Sequence, residues 1–411
     1  MAESIPPNTN IDESRVPQYR LPALLNAEGD TPITTRDDWE TLRRPGIYRA
    51  FEQQVYGRMP GPPEHMEVDC WSEEKDIFAG LADRKQRTVR LFNRGRKLEF
   101  ELLLYLPSRR PISAPCFLGL NFFGNHTIYP DPAIRLNDRW VRERDEFGII
   151  DNRATDYSRG ILSGRWPVEA ILRRGYALAT LYYGDLDPDN YRNDFSDGIH
   201  PLFYKEGQTQ PEPDEWGAIS AWAWGLSRAM DVLAEDPGID AERVAVMGHS
   251  RLGKTALWAG ASDPRFALVI SNNSGCGGAS LFRRCFGETI RHITDPVPYW
   301  FCRNFYHYRD REDALPVDQH MLIALAAPRP VYVTSATHDL WADPKGEFLA
   351  AREAGAAYRL YGKNDLGADS MPPPFHPLQS GSIGYHLRAG KHDVTLYDWE
   401  RWMDFADRHL A

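Results

Sequence analysis

Apolar and polar positions along this chain follow two periods, and the order in which they occur predicts an architecture. From Arg36 to Gly57 the apolar residues recur at helical spacing, interrupted at Pro45. Residues 88–106 alternate at the strand period on either side of Asn93-Arg94-Gly95-Arg96, the pattern of a hairpin. Beyond them, apolar, β-branched or aromatic runs stand at 116–123, 176–183, 243–249, 267–273 and 330–336. Helical patterns lie between these runs, the clearest over 215–236. Strands alternating with helices predict an α/β fold, a three-layer αβα sandwich, because runs apolar at successive positions must bury both faces of a mainly parallel sheet. The hairpin is expected to form the antiparallel edge of that sheet.

Residues 1–35, rich in Pro, Asn and acid, read as an extended arm, and 36–411 as one domain without internal repeat or linker. Two stretches near 124–165 and 184–214 have little periodicity and many polar residues. Insertions of this kind either shape a pocket above the carboxyl ends of the strands or lie as solvated loops.

Composition narrows the function classes. A net charge of −10 argues against nucleic acid or an anionic membrane as partner. The 12 Trp and 19 Tyr supply core, and also flat walls on which sugar or aryl rings stack. Cys70, Cys116, Cys276, Cys285 and Cys302 show no metal-ligand spacing, so no metal site and no cofactor is expected. One disulfide among Cys276, Cys285 and Cys302 stays open. No apolar run approaches the roughly 20 residues of a membrane span. The N-terminus lacks the basic and apolar regions of a signal peptide, which fits either a cytoplasmic protein or one whose signal has been removed.

The most informative stretch is 243–261. An apolar strand enters Gly248-His249-Ser250 and an Ala- and Leu-rich helix leaves directly after it. Strand, sharp turn and helix are the setting of a nucleophilic serine whose hydroxyl projects beside a helix N-terminus. Leu252 stands where a second glycine is usual, and Gly253 follows. A serine nucleophile needs a base, and the base needs an orienting acid. His392, in a loop between a short strand pattern and the terminal helix, is the expected base, and His386 is read as structural. Asp339 comes first off the end of the 330–336 strand and is the expected acid. Asp343, before Pro344, reads as a helix N-cap.

These segments, GLNFFGNHT, GHSRLGK, SNNSGCGGASLFRR, LPVDQH, SATHDLWADPKGEF and GYHLRAGKHDVT, together resemble the glucuronoyl esterases, carbohydrate esterase family 15, in their bacterial branch. The resemblance runs from residue 119 nearly to the C-terminus. It implies an α/β-hydrolase fold and a serine-type hydrolase that cleaves the ester between 4-O-methyl-glucuronic acid on xylan and an alcohol of lignin. Ser250 is then the nucleophile, His392 the base and Arg251 the oxyanion-stabilising residue. Lys254, Glu288, Gln319 and Trp341 are then the sugar-binding residues. Fungal members carry a catalytic Glu where this chain has Asn273, so the acid is expected from the following strand, which again selects Asp339. A cell-wall substrate also implies secretion or a periplasmic location, and the protein is expected to act as a monomer.

Alternative readings keep the serine chemistry and change the substrate, to acetyl xylan or simple carboxylic esters, or drop catalysis for carbohydrate binding. With the resemblance set aside, Arg251 and Lys254 read either as solvated charges or as functional groups, and a function is favoured because a cation at a helix N-terminus opposes the macrodipole, whereas Glu288 reads as a surface charge. The run 275–278 is either a tight turn or a backbone approach to ligand. Asn125 and His126 either border the oxyanion or are structural, with a satisfied structural histidine favoured for His126.

Overall fold

A computed structural model describes residues 5–6, 9–108, 112–190 and 194–410. Parts of the expected arm (1–4 and 7–8) and of the second insertion (191–193) lie outside the described residues. The main sheet has nine strands: β1 (His65–Asp76), β2 (Ala82–Asn93), β3 (Arg96–Pro107), β4 (Ala114–Asn121), β5 (Ala177–Tyr182), β6 (Ile239–His249), β7 (Leu268–Asn272), β8 (Val331–Ala336) and β9 (Ile383–Arg388). Their spatial order is β1-β2-β3-β5-β4-β6-β7-β8-β9. The first three strands and the β3–β5 pair run antiparallel, and every pair from β5–β4 to β8–β9 is parallel.

Six helices matter here: α1 (Arg44–Phe51), α2 (Val168–Arg173), α3 (Ala218–Ala234), α4 (Arg251–Ser262), α5 (Pro344–Leu360) and α6 (Leu396–His409). The period-2 rule sorts the strands between two cores. Val244 and Val246 of β6 join the cluster formed with α1, α3, α4 and α5, while Ala245 and Met247 join the one formed with α2 and α6. This is the three-layer sandwich that the periodicity predicts. No helix among the described residues is long and apolar enough to cross a membrane.

Two expectations need correction. The hairpin β2–β3 turns where predicted, but it is not the edge, because β1 pairs along β2 and covers it. β1 is almost wholly exposed or half-buried, so its sequence carries no clean apolar alternation. Pro45 does not interrupt the first helical segment. The backbone stays helical from Arg36 into α1, and the π-helical stretch Trp39–Arg43 lies immediately before the proline, a widened turn that accommodates its missing N–H.

Parallel strands leave their carboxyl ends on one edge of the sheet. Ser250, Asn273, Asp339 and His392 follow β6, β7, β8 and β9 there, a few residues beyond each strand end at most.

Candidate active site

β6 ends at His249 and α4 begins at Arg251, so Ser250 alone makes the turn, with φ 58° and ψ −130°. A non-glycine residue in this region carries strain on the order of 1–3 kcal/mol and persists only when its surroundings hold it. Ser250 N donates to Asn272 O at 2.9 Å, and Ser250 O accepts from Gly253 N at 2.8 Å. A Cβ on Gly248 would collide with the Leu252 carbonyl, so a glycine two before the serine is a steric requirement. Leu252, in the place of the usual second glycine, is buried in the core.

Asp339 Oδ2 lies 2.6 Å from His392 Nδ1. An ionised carboxylate only accepts, so Nδ1 carries the proton and Nε2 is left as the basic nitrogen. Burial pushes the Asp339 carboxyl up. The hydrogen bond and charge of His392, with the Asn273 amide, outweigh it and hold the acid below the usual carboxylate range. His249 packs its ring 4.5 Å from that of His392. Burial, with the charges of His392, Arg165 and Arg388, keeps His249 neutral, its pKa well below the ordinary value. Asn272 Nδ2 reaches both His249 Nδ1 (3.3 Å) and the Asp393 carbonyl (3.0 Å), tying the loop that carries His392 to the end of β7. Among the described residues Ser250 Oγ makes no hydrogen bond, to His392 or to another group.

Arg251 opens α4 with its guanidinium 4.7 Å over the Trp300 ring and paired with Asp189. Asp189 is wholly buried and also accepts from Tyr299 Oη (2.6 Å), Trp300 Nε1 (2.8 Å) and Tyr183 Oη (3.2 Å). A cation in the first turn of a helix opposes the macrodipole, and this buried carboxylate is what holds it there. Sequence reasoning missed Asp189, which stands in the aperiodic stretch 184–214 with nothing local to distinguish it.

Lys254, one turn beyond Ser250, places Nζ 2.8 Å from Glu288 Oε2 and 2.5 Å from the Cys276 carbonyl. Trp341 Nε1 donates to Glu288 Oε1 at 3.2 Å, and Glu288 N donates to the Trp341 carbonyl at 2.8 Å. Lys254, Glu288 and Trp341 therefore form one group, brought from α4 and the segments after β7 and β8. Gln319 stands apart from it. It is completely buried, and its Nε2 donates to the Gly278 carbonyl beneath the 275–278 run. It supports that loop from below.

The 275–278 run is a tight turn held from below. Gly278 N donates to Gly275 O, Tyr56 Oη donates to Gly277 O, and Glu347 Oε1 accepts from Ser274 N (2.7 Å) and Gly275 N (3.0 Å). Glu347 was not singled out in the sequence, where it reads as an ordinary helical glutamate. The residues read as structural are in structural settings. His386 is buried between Asp398 and Tyr332. Asp343 caps α5 through Gly346 N and pairs with Arg284. The ring of the buried His126 accepts from Asn137 N and reaches Ser158 Oγ at 2.7 Å, and burial lowers its pKa to about 4. Asn125 bonds Asn121 and the Glu101 carbonyl. All five cysteines are free thiols.

A mixed sheet of this order, with the strained turn after β6, defines the class as α/β hydrolase. Comparison with known proteins narrows it. The sequence profile of the family described as "Glucuronyl esterase, fungi" matches residues 188–362. The chain is 50% identical over 407 residues to carbohydrate esterase MZ0003 from an unknown prokaryotic organism, covering 99% of this chain and 93% of that one. It superposes with a TM-score of 0.91 on a structure described as a promiscuous CE15 esterase from the marine bacterial metagenome, 49% identical over 98% of this chain and all of that one. A glucuronoyl esterase from Solibacter usitatus gives a TM-score of 0.90 at 46% identity, over 97% of this chain and all of that one. The chain belongs to carbohydrate esterase family 15, the glucuronoyl esterases.

Proposed function

We propose that this hydrolase cleaves esters of glucuronic acid, including its 4-O-methyl form on xylan, through an acyl-enzyme on Ser250. The observation that carries the substrate reading is the Lys254–Glu288–Trp341 group one helical turn from the nucleophile. A cation, a carboxylate and an indole converging beside an ester-cleaving serine suit sugar hydroxyls and the face of a pyranose ring. In this reading His392 Nε2 takes the Ser250 proton as Oγ adds to the uronoyl carbonyl. Asp339 holds the imidazole in the required tautomer and stabilises its cation. The Arg251 guanidinium, fixed by Asp189, and the N-terminus of α4 stabilise the oxyanion. The tetrahedral intermediate expels the alcohol, which takes its proton from His392. Water, deprotonated by the same imidazole, then releases the uronate. A substrate of plant cell walls places the enzyme outside the cytoplasm.

The test is a panel of methyl and benzyl glucuronates with matched acetyl esters. Release of glucuronic acid by the wild type, its loss in Ser250→Ala, and fluorophosphonate labelling at Ser250 are the expected results. An enzyme that cleaves acetyl esters and leaves uronate esters intact refutes the substrate assignment.

A further inference from the structure

A general base must be held by its backbone as well as by the contacts of its ring. Asp339 orients the His392 imidazole and His249 packs against it, but residues 389–395, which carry the ring, form neither helix nor strand. A shift of about 1 Å between base and nucleophile can cost on the order of a hundredfold in rate. One buried side chain restrains this segment. Arg388, the last residue of β9, donates through Nη2 to the Lys391 carbonyl (2.8 Å) and the Asp393 carbonyl (2.6 Å). These are the residues immediately before and after His392. Asn272 Nδ2, from the end of β7, reaches the same Asp393 carbonyl at 3.0 Å. The guanidinium is fixed in turn by Asp398, fully buried in the first turn of α6. Asp398 Oδ2 accepts from Arg388 Nε (3.0 Å) and Thr395 N (2.7 Å), and Oδ1 lies 2.9 Å from His386 Nε2. Water ordinarily satisfies the carbonyls of a surface loop, and burying a charge pair costs desolvation. An ion pair aimed at the two carbonyls that flank His392 therefore supplies position, which solvent cannot.

We propose that Arg388 is a positioning residue for the general base: anchored on Asp398, it locks the backbone on both sides of His392 and so fixes the imidazole relative to Ser250. The inference rests on the reading of His392 as that base. The role needs the guanidinium fork and not only its charge, because Nε serves Asp398 while Nη2 serves the loop. A lysine keeps the charge beside Asp398 but ends in a single ammonium that cannot span the three acceptors.

The experiment compares the full-length wild type with Arg388→Lys, His392→Ala and the double variant. It reads the rate at which a fluorophosphonate labels Ser250, which does not depend on which ester is the substrate, and kcat and KM for benzyl glucuronate. Arg388→Lys is expected to slow labelling and lower kcat by about 10–100-fold, with KM changed by no more than about twofold. Its thermal midpoint reports an intact fold. His392→Ala should be slower still, and the double variant no slower than His392→Ala, because the arginine acts only through the base. Labelling of Arg388→Lys at the wild-type rate, or additive losses in the double variant, overturns the proposal. If His392→Ala labels as fast as the wild type, the base reading has failed and takes the clamp with it, a result distinct from a fully active Arg388→Lys beside an inactive His392→Ala. Should Arg388→Lys not fold, Asn272→Ala carries the same test, since it removes the other donor to the Asp393 carbonyl and leaves the Arg388–Asp398 pair whole. Labelling slowed several-fold, with no further loss when His392→Ala is added, supports the proposal, and an unchanged rate overturns it.

Discussion

Asn273 donates its side-chain amide to Asp339 Oδ2 at 2.6 Å, the same oxygen that faces Nδ1 of His392. A residue that cannot be an acid thus holds the Asp339 carboxylate in place. Both residues sit just past neighbouring parallel strands, β7 and β8, which is what brings them into contact.

Removing this amide should loosen the acid without touching substrate. Asn273 has φ 49°, so Asn273→Gly removes the donor at no backbone cost. We expect kcat to fall about tenfold, the worth of one charge-assisted hydrogen bond, with KM little changed. Asp339 is held low partly by this amide, so its carboxyl should rise toward the ordinary value and the acid limb of the kcat profile should move to higher pH. An unchanged profile and kcat would make the bond incidental.

Asp189 should matter through Arg251 alone. Asp189→Asn keeps the shape and removes the charge that holds the guanidinium. It is expected to lower kcat/KM on the order of 10–100-fold, less than the loss from Arg251→Ala. The double variant should be no slower than Arg251→Ala, because the two act as a unit. Additive losses would show that Asp189 works on something else.

The Lys254–Glu288 pair separates stability from recognition. Lys254→Met leaves Glu288, whose side chain is 12% exposed, without its cation and should lower the thermal midpoint. Adding Glu288→Gln should restore the midpoint but leave KM for uronate esters raised by about tenfold or more, with acetyl esters much less affected. If the double variant recovers uronate KM as well, the pair is structural only.

Glu347 makes stability depend on pH. Burial pushes its carboxyl up to about 8, with the charge of Asp339 acting in the same direction, while hydrogen bonds from Ser335, Gly275 and Ser274 pull the other way. The folded protein therefore keeps this proton to higher pH than the unfolded chain does. The contribution is complete below the ordinary glutamate value and is lost as pH rises through about 8. Glu347→Gln imitates the protonated acid and should flatten that slope. Between pH 5.5 and 8.5 the wild type should lose about 1–3 kcal/mol more than the variant. Parallel losses in urea titrations at the two pH values would refute this.

Local sequence was enough for the elements that build the sheet. The apolar runs ending at 249, 273 and 336 are continuous, as burial on both faces demands, and the helix over 218–234 is long. It was enough for the turn at Ser250, because the strand, the turn and the helix that make it are contiguous in the chain. It placed His392 and Asp339 from chain order and their positions past strand ends, and the structure brings that pair together at 2.6 Å. What it did not contain was partnership across distance. Asp189 reaches Arg251 from 62 residues away, Asn273 reaches Asp339 from 66, and Glu347 reaches Ser274 from 73. Such pairs leave no periodic trace, since only the stacking of parallel strands decides which loop ends meet. For the same reason nothing local to Gln319 showed where its side chain would pack. Tertiary packing enclosed it beneath the 275–278 turn, and β1, nearly featureless in sequence, became the true edge because β2 offered it a free row of backbone donors and acceptors.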